Sequence, residues 1–199
     1  PMAALIGLDQ AESAFLDAWK SGRLHHAWLL AGPQSMGKAQ FARRAARFLL
    51  THGAGSISDA DSLDDVGDTA ANRLIEAGNH PELLMLERLV KDKGKELARS
   101  ISIDQVRQMM RRLQMSLSMG DWRVIIIDAV DDLETAGANA LLKTLEEPPA
   151  KTLFFLVSHS PGKLLPTIRS RCRLVRFQPV GAEKVENWLQ SIRPMMDRN

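Results

Sequence analysis

One short segment of the sequence has the residue types and spacing of a phosphate-binding loop. Gly32-Pro-Gln-Ser-Met-Gly37-Lys38 matches G-x-x-x-x-G-K and lies between an apolar run and a stretch of helical spacing. In such a loop the glycines permit tight turns, backbone N–H groups point at phosphate oxygens, and the lysine adds positive charge. The next residue normally supplies a hydroxyl that binds Mg²⁺, but here it is Ala39. The pattern predicts a phosphate loop without its magnesium ligand, or else a plain glycine turn with a solvated lysine.

A second segment places a carboxylate at the end of an apolar strand. Asp128 follows four β-branched residues, as does the Walker B carboxylate that holds Mg²⁺ in nucleotide hydrolases. Hydrolytic proteins usually have Glu next, as the base that activates water, and Ala129 stands there instead. Asp131 or Asp132 would have to replace it from a position displaced by several ångströms, and geometry decides such candidates first. The sequence therefore predicts a site that does not hydrolyse nucleotide.

A third segment concentrates positive charge before the last apolar run. Arg169, Arg171 and Arg173 lie within five residues, and Arg176 follows them. Structural ion pairs or a general surface for polyanions would explain such a cluster. A guanidinium at the rim of a domain can instead reach a phosphate on a neighbouring subunit, because its planar fork contacts two oxygens at once. Both interpretations remain open on the arrangement alone.

The elements that must position these residues form an alternating pattern. Short apolar runs alternate with segments of helical spacing, which predicts an α/β fold with a parallel sheet covered by helices on both faces. Ser102 and Gln105 have the spacing of a capping box at a helix start, and Pro148 is expected to stop a later helix. The five predicted strands are Ala27–Ala31, Leu83–Leu86, Val124–Ile127, Leu153–Val157 and Leu174–Phe177.

Composition excludes several classes of protein. The 199 residues carry a net charge of +2, which argues against a broadly cationic DNA-coating protein. The single cysteine, Cys172, excludes an internal disulfide framework and a cysteine-cluster zinc site, and suits a reducing compartment. No apolar run is long enough to cross a membrane, and the amino end lacks the pattern of a secretion signal. We therefore expect a cytoplasmic protein with no membrane partner.

Residues 51–72 have a different character from the rest of the chain. They contain five aspartates but no lysine or arginine. A calcium loop is not expected, because Leu63 and Asp64 stand where an oxygen ligand and a glycine are required. This Asp-rich segment is predicted to be a mobile, solvated connection.

The segment NALLKTLEEPPAKTLFFLVSHSPGKLLPTIRSRCRLVRFQPV resembles the clamp-loader branch of the AAA+ ATPases. HHAWLLAGPQSMGKAQFA and VIIIDAVDDL fall at the family's spacings upstream, so the resemblance covers nearly the whole chain. The resemblance implies a five-stranded AAA+ P-loop-type domain over residues 1–179. It also implies that residues 180–199 begin a helical lid domain that is cut short at residue 199.

The resemblance also implies a function. The chain would be a non-hydrolysing subunit of the DNA polymerase III clamp loader, a hetero-pentamer that places the sliding clamp on primed DNA. Its partners would be the gamma/tau and delta subunits, with the clamp and the DNA reached through the assembled complex. By motif match, Arg171 would be an arginine finger acting in trans on ATP held by the adjacent gamma/tau subunit. Ser158 and His159 would occupy the sensor-1 region and mainly support the fold.

We expect a degenerate nucleotide site and no cofactor. Weak or absent ATP binding is expected at Gly32, Gly37, Lys38 and Asp128. Many family members carry four zinc-binding cysteines after the P-loop helix, and the Asp-rich segment stands there instead, so zinc is expected to be absent.

Two other functions remain open. The chain could be an active, gamma/tau-like P-loop ATPase with an atypical Mg²⁺ site. It could also bind DNA directly through its arginine cluster, although the near-neutral net charge argues against strong binding by the lone subunit.

Overall fold

The computed structural model describes residues 8–53, 60–91 and 96–179. Within these ranges the helices are α1 (Asp9–Lys20), α2 (Lys38–His52), α3 (Ala70–Glu76), α4 (Ile103–Leu113), α5 (Thr135–Glu146) and α6 (Pro166–Arg169). The strands are β1 (Ala27–Ala31), β2 (Leu83–Glu87), β3 (Arg123–Asp128), β4 (Thr152–Ser158) and β5 (Arg173–Arg176), and short 3₁₀ turns cover Val130–Asp132 and Pro161–Lys163. None of these helices is both long and apolar enough to cross a membrane. The predicted lid, residues 180–199, lies outside the described residues and stays a prediction.

The five strands form one sheet in the order β2-β3-β4-β1-β5, and every neighbouring pair is parallel. This confirms the predicted parallel sheet. Strand β1 has the predicted bounds, and β2, β3 and β4 extend by one residue at one or both ends. The last strand begins and ends one residue earlier than predicted, although Phe177 still donates its backbone N–H to the Ala31 carbonyl at 2.7 Å.

Helices cover both faces of the sheet, which is why the central strands β1, β3 and β4 are mainly apolar. On one face, Phe15 of α1 and Phe41 of α2 contact Phe155 of β4, with ring centroids 5.9 and 6.1 Å apart. On the other face, Val106 of α4 and Leu141 of α5 belong to the core that includes the alternate strand residues. Residues on both sides of each central strand are therefore removed from water.

The helix that packs against the second face begins as its sequence predicts. The Ser102 hydroxyl accepts the Gln105 backbone N–H at 3.3 Å, and the Gln105 side-chain oxygen accepts the Ser102 N–H at 3.0 Å. The capping box is therefore confirmed. The predicted stop at Pro148 agrees with the end of α5 at Glu146.

The described part of the Asp-rich segment differs from the prediction of a solvated connection. Leu63 is fully buried in the core beside α1 and α2. The Asp64 carboxylate lies 2.9 Å from Arg44 and 3.0 Å from Arg47, both on α2. The hydrogen bond from Arg44 is the main reason that the pKa of Asp64 lies below its usual value. Residues 60–66 therefore pack on the fold, whereas residues 54–59 lie outside the described residues.

Candidate functional site

The carboxyl ends of three strands bring the predicted nucleotide-site residues together. The loop after β1, Asp128 at the end of β3 and His159 after β4 meet at one edge of the sheet, as the parallel topology requires. A cavity of about 300 Å³ lies there. Its lining includes Gly37, Lys38, Asp128 and His159, together with the replaced residue Ala39.

Both predicted glycines hold backbone conformations that the loop needs. Gly32 has a φ of 155°, and a Cβ on it would lie 2.2 Å from the Phe177 carbonyl oxygen. Gly37 has a φ of 76° and is the N-cap of α2. The loop therefore has the glycine-dependent shape that its sequence predicts.

The lysine of the loop is turned onto the loop's own backbone. The Lys38 ammonium donates to the Gly32 carbonyl at 2.7 Å and also to the Pro33 carbonyl. Lys38 is only 3% exposed, so the interpretation of a solvated lysine is wrong. Burial lowers the pKa of Lys38, although the negative charges of Asp128 and Asp131 oppose that shift. A phosphate would have to replace these carbonyls as the partner of the ammonium.

Asp131 holds the end of β4. Its carboxylate accepts the Ser158 hydroxyl at 2.7 Å and the backbone N–H groups of His159 and Ser160 at 2.6 and 3.2 Å. Asp132 instead pairs with Arg88 at 3.2 Å. Both carboxylates considered as substitute bases therefore have protein partners, and Ser158 is fully buried in a supporting contact.

Replacing Asp131 with alanine is expected to lower the free energy of unfolding by roughly 1–3 kcal/mol, because the variant leaves the buried Ser158 hydroxyl and two half-buried backbone N–H groups without an acceptor. Denaturant unfolding of the purified protein measures this change. Asp132→Ala is the matched control, and loss of its partly exposed pair should cost about 1 kcal/mol or less. Equal losses in the two variants would show that Asp131 does not anchor the strand end.

The arginine cluster extends from the end of α6 to the end of β5, with Arg171 in the turn between them. The Arg171 guanidinium donates to the Thr167 carbonyl at 2.8 Å, and its other terminal nitrogen lies 3.0 Å from a Glu146 carboxylate oxygen. The Arg171 side chain is 33% exposed, so it is held at the surface without being enclosed. Arg173 instead lies over the Trp28 ring, 4.5 Å from its centroid. Arg171 is not among the residues that line the cavity at Lys38.

The thiol of Cys172, the residue after Arg171, is expected to be unreactive. Cys172 packs against the core of the second face, and burial raises the pKa of its thiol to about 12. The thiol therefore stays protonated at neutral pH, as a small buried side chain would.

No described group of three or more His, Cys, Asp or Glu side chains is arranged to hold a metal ion. The expected absence of zinc stays a prediction.

The roles of two anchoring side chains, Asp131 and Glu146, were not predicted from the sequence. Asp131 was expected at most as a base, and Glu146 was not a candidate residue. For Glu146 a signal existed, because an acidic residue at the carboxyl end of a helix opposes the helix dipole.

The chain is similar over most of its length to one known protein family. The family model described as DNA polymerase III, delta subunit, matches residues 7–181. The chain belongs to this DNA polymerase III delta-subunit family. A relative from Escherichia coli named DNA polymerase III subunit delta' is 34% identical over 172 residues, which are 86% of this chain and 48% of the relative. This delta-subunit family member therefore spans about half the length of that relative and is delta-prime-like in sequence.

The tau subunit is also related to the delta-subunit family chain. DNA polymerase III subunit tau of Salmonella typhimurium is 30% identical over 190 residues, which are 96% of this chain and 27% of the relative. A solved structure of a gamma subunit-related protein from Thermotoga maritima covers 93% of this chain and 54% of its own, with a TM-score of 0.59 and 18% identity. That likeness confirms the fold, a five-stranded parallel sheet flanked by helices.

Proposed function

We propose that the chain is a non-hydrolysing clamp-loader subunit of DNA polymerase III that presents Arg171 to ATP on a neighbouring gamma/tau subunit. The contrast between two cationic side chains carries the proposal. Lys38 is buried and bonds to its own loop, whereas Arg171 is held at the surface with part of its guanidinium exposed. The partners would be the gamma/tau and delta subunits in a hetero-pentamer, which would act on the sliding clamp and primed DNA.

The chain's own site lacks the groups that hydrolysis requires. Ala39 cannot bind Mg²⁺, and Ala129 cannot activate water. Asp131 is engaged by three donors at the end of β4. These features support a subunit that leaves hydrolysis to a neighbour.

Arg171 retains the capacity to bind phosphate. A guanidinium has five N–H donors. Thr167 contacts one terminal nitrogen of Arg171, and Glu146 contacts the other. The remaining donors can bind oxygens of a triphosphate and stabilise the negative charge that develops on the transferred phosphoryl group. Lysine would supply the charge without the planar fork.

A gamma/tau-like ATPase is the second candidate. The cavity of about 300 Å³ that joins Lys38 to Asp128 favours it, because this is where a P-loop site would hold phosphate. The candidate requires Lys38 to leave the two loop carbonyls and Mg²⁺ to bind without a hydroxyl ligand.

A titration of Mg·ATP into the purified full-length subunit separates the two candidates. We expect a dissociation constant weaker than roughly 1 mM, because the Lys38 charge is already shared with the loop carbonyls. Isothermal calorimetry gives the constant, and Lys38→Met, which keeps a long unbranched side chain without the charge, is the control. Micromolar binding that disappears in Lys38→Met would favour the ATPase and contradict the proposal.

A further inference from the structure

Two acidic residues at the end of α5 oppose the local electrostatics. Glu146 is the last residue of the helix and Glu147 follows it. The carboxyl end of a helix carries partial negative charge, so cations are favoured there and carboxylates are not. An unfavourable carboxylate at this position is expected to have a compensating contact elsewhere in the structure.

Glu146 contacts Arg171. One of its carboxylate oxygens lies 3.0 Å from a terminal nitrogen of the guanidinium. Within the part of the chain that the structure describes, no other arginine of the 169–176 cluster has a carboxylate partner. Glu147 is exposed and forms no ion pair among the described residues. Among the described residues, the end of α5 therefore forms an ion pair with Arg171 and with none of the other three arginines of the cluster.

We propose that Glu146 is a positioning residue that orients the Arg171 guanidinium toward the neighbouring subunit before assembly. This inference rests on the proposed function of Arg171. Two anchors, the Glu146 carboxylate and the Thr167 carbonyl, fix the plane of the guanidinium, and its other donors stay free for phosphate. A side chain that is already oriented loses less conformational freedom when it meets the triphosphate, and it places charge more accurately.

The effect on the assembled complex is specific. ATP would be held by the neighbour's own loop, so Glu146 should not change how tightly ATP binds there. Loss of Glu146 should lower kcat and leave the KM for ATP unchanged. Glu146→Gln retains an acceptor oxygen and should lie between Glu146→Ala and the wild type.

The experiment measures single-turnover, DNA-stimulated ATP hydrolysis by a complex of gamma/tau, delta and the full-length subunit over a range of ATP concentrations. Glu146→Ala is expected to lower kcat at the site that Arg171 would serve roughly two- to fivefold, the range of exposed ion pairs. Glu147→Ala removes the neighbouring exposed charge and should match the wild type. Thermal unfolding of both variants is measured in parallel, and both should fold with stability close to that of the wild type, because each removes an unfavourable charge from the helix end and the pair lost in Glu146→Ala is partly exposed.

An unchanged kcat in Glu146→Ala would overturn the inference. So would a higher kcat, which would mean that the carboxylate competes with ATP for the arginine. Equal losses in Glu146→Ala and Glu147→Ala would assign the effect to helix charge and would overturn it as well. Normal hydrolysis with Arg171→Ala in the same assay would instead overturn the proposed function, so the two failures are distinguishable.

Discussion

Replacing Arg171 with alanine in the full-length subunit is expected to suppress ATP hydrolysis at the neighbouring site while the subunit still folds and assembles. The side chain is partly exposed, and its polar contacts with Thr167 and Glu146 lie at the surface. In GTPases, arginine fingers contribute on the order of 10³–10⁵ to the rate. We therefore expect a loss of roughly 10³ at the one site that Arg171 would serve, and a smaller loss in the steady-state rate if other sites have fingers of their own.

Single-turnover hydrolysis of ATP by the reconstituted complex measures this loss. Arg171→Lys retains the charge without the planar fork and should recover only part of the rate. Lys163→Ala is the control, because it removes one exposed positive charge from the turn before α6. A complex that assembles with Arg171→Ala and hydrolyses ATP at the normal rate would exclude the finger assignment.

The largest effect on stability is expected at a buried ion pair beside β2 and β3. Glu82 is fully buried, and its carboxylate lies 2.6 Å from the Nε of Arg123, which is 3% exposed. The other carboxylate oxygen accepts the backbone N–H and the hydroxyl of Ser118 at 2.8 and 2.9 Å. Arg123 also donates to the Met115 carbonyl at 3.2 Å. The pair fixes the connection between α4 and β3, the strand that ends at Asp128.

Glu82→Ala is expected to lower the free energy of unfolding by about 3–5 kcal/mol, because it leaves the Arg123 charge buried without a partner. Denaturant unfolding measures the loss. Replacing both residues with apolar side chains, Glu82→Leu with Arg123→Met, removes the uncompensated charge and should recover part of the stability. An exposed ion pair contributes about 1 kcal/mol or less to stability. A loss of unfolding free energy this small in Glu82→Ala would contradict the burial of the Glu82–Arg123 pair.

The Glu82–Arg123 ion pair makes the stability of the protein depend on pH. Burial acts to raise the pKa of Glu82, but hydrogen bonds from Arg123 and Ser118 outweigh it and hold the pKa below the usual value of 4.5. A carboxyl with a lowered folded-state pKa stabilises the protein above its unfolded-state value and loses that contribution as pH falls through the folded value. The difference in stability between the wild type and Glu82→Ala should therefore shrink below about pH 4.5.

Features set by neighbouring residues could be predicted from the sequence. The strands followed from apolar runs, the start of α4 from Ser102 and Gln105, and the loop shape from Gly32 and Gly37. Each depends on residues a few positions apart, or on burial of a strand on both faces. The meeting of Lys38, Asp128 and His159 at one edge is a consequence of the parallel order, because parallel strands end at one side of the sheet.

Contacts between distant segments could not be predicted. Asp131 reaches Ser158, and Glu146 reaches Arg171, across connections whose course depends on strand order and helix packing. The bonds from Lys38 to its own loop depend on side-chain direction, which the spacing G-x-x-x-x-G-K does not determine. The burial of Leu63 was not predicted, because composition alone does not show which residue of an Asp-rich segment is buried.

The asymmetry between Lys38 and Arg171 is tested most directly by comparing two variants in one complex. Single-turnover hydrolysis is measured with Lys38→Met and with Arg171→Ala in the full-length subunit, each assembled with wild-type gamma/tau and delta. If this chain serves a neighbour's ATP, Arg171→Ala loses most hydrolysis at the served site and Lys38→Met keeps the wild-type rate. Loss of hydrolysis in Lys38→Met with a normal rate in Arg171→Ala would mean that the chain turns over ATP of its own.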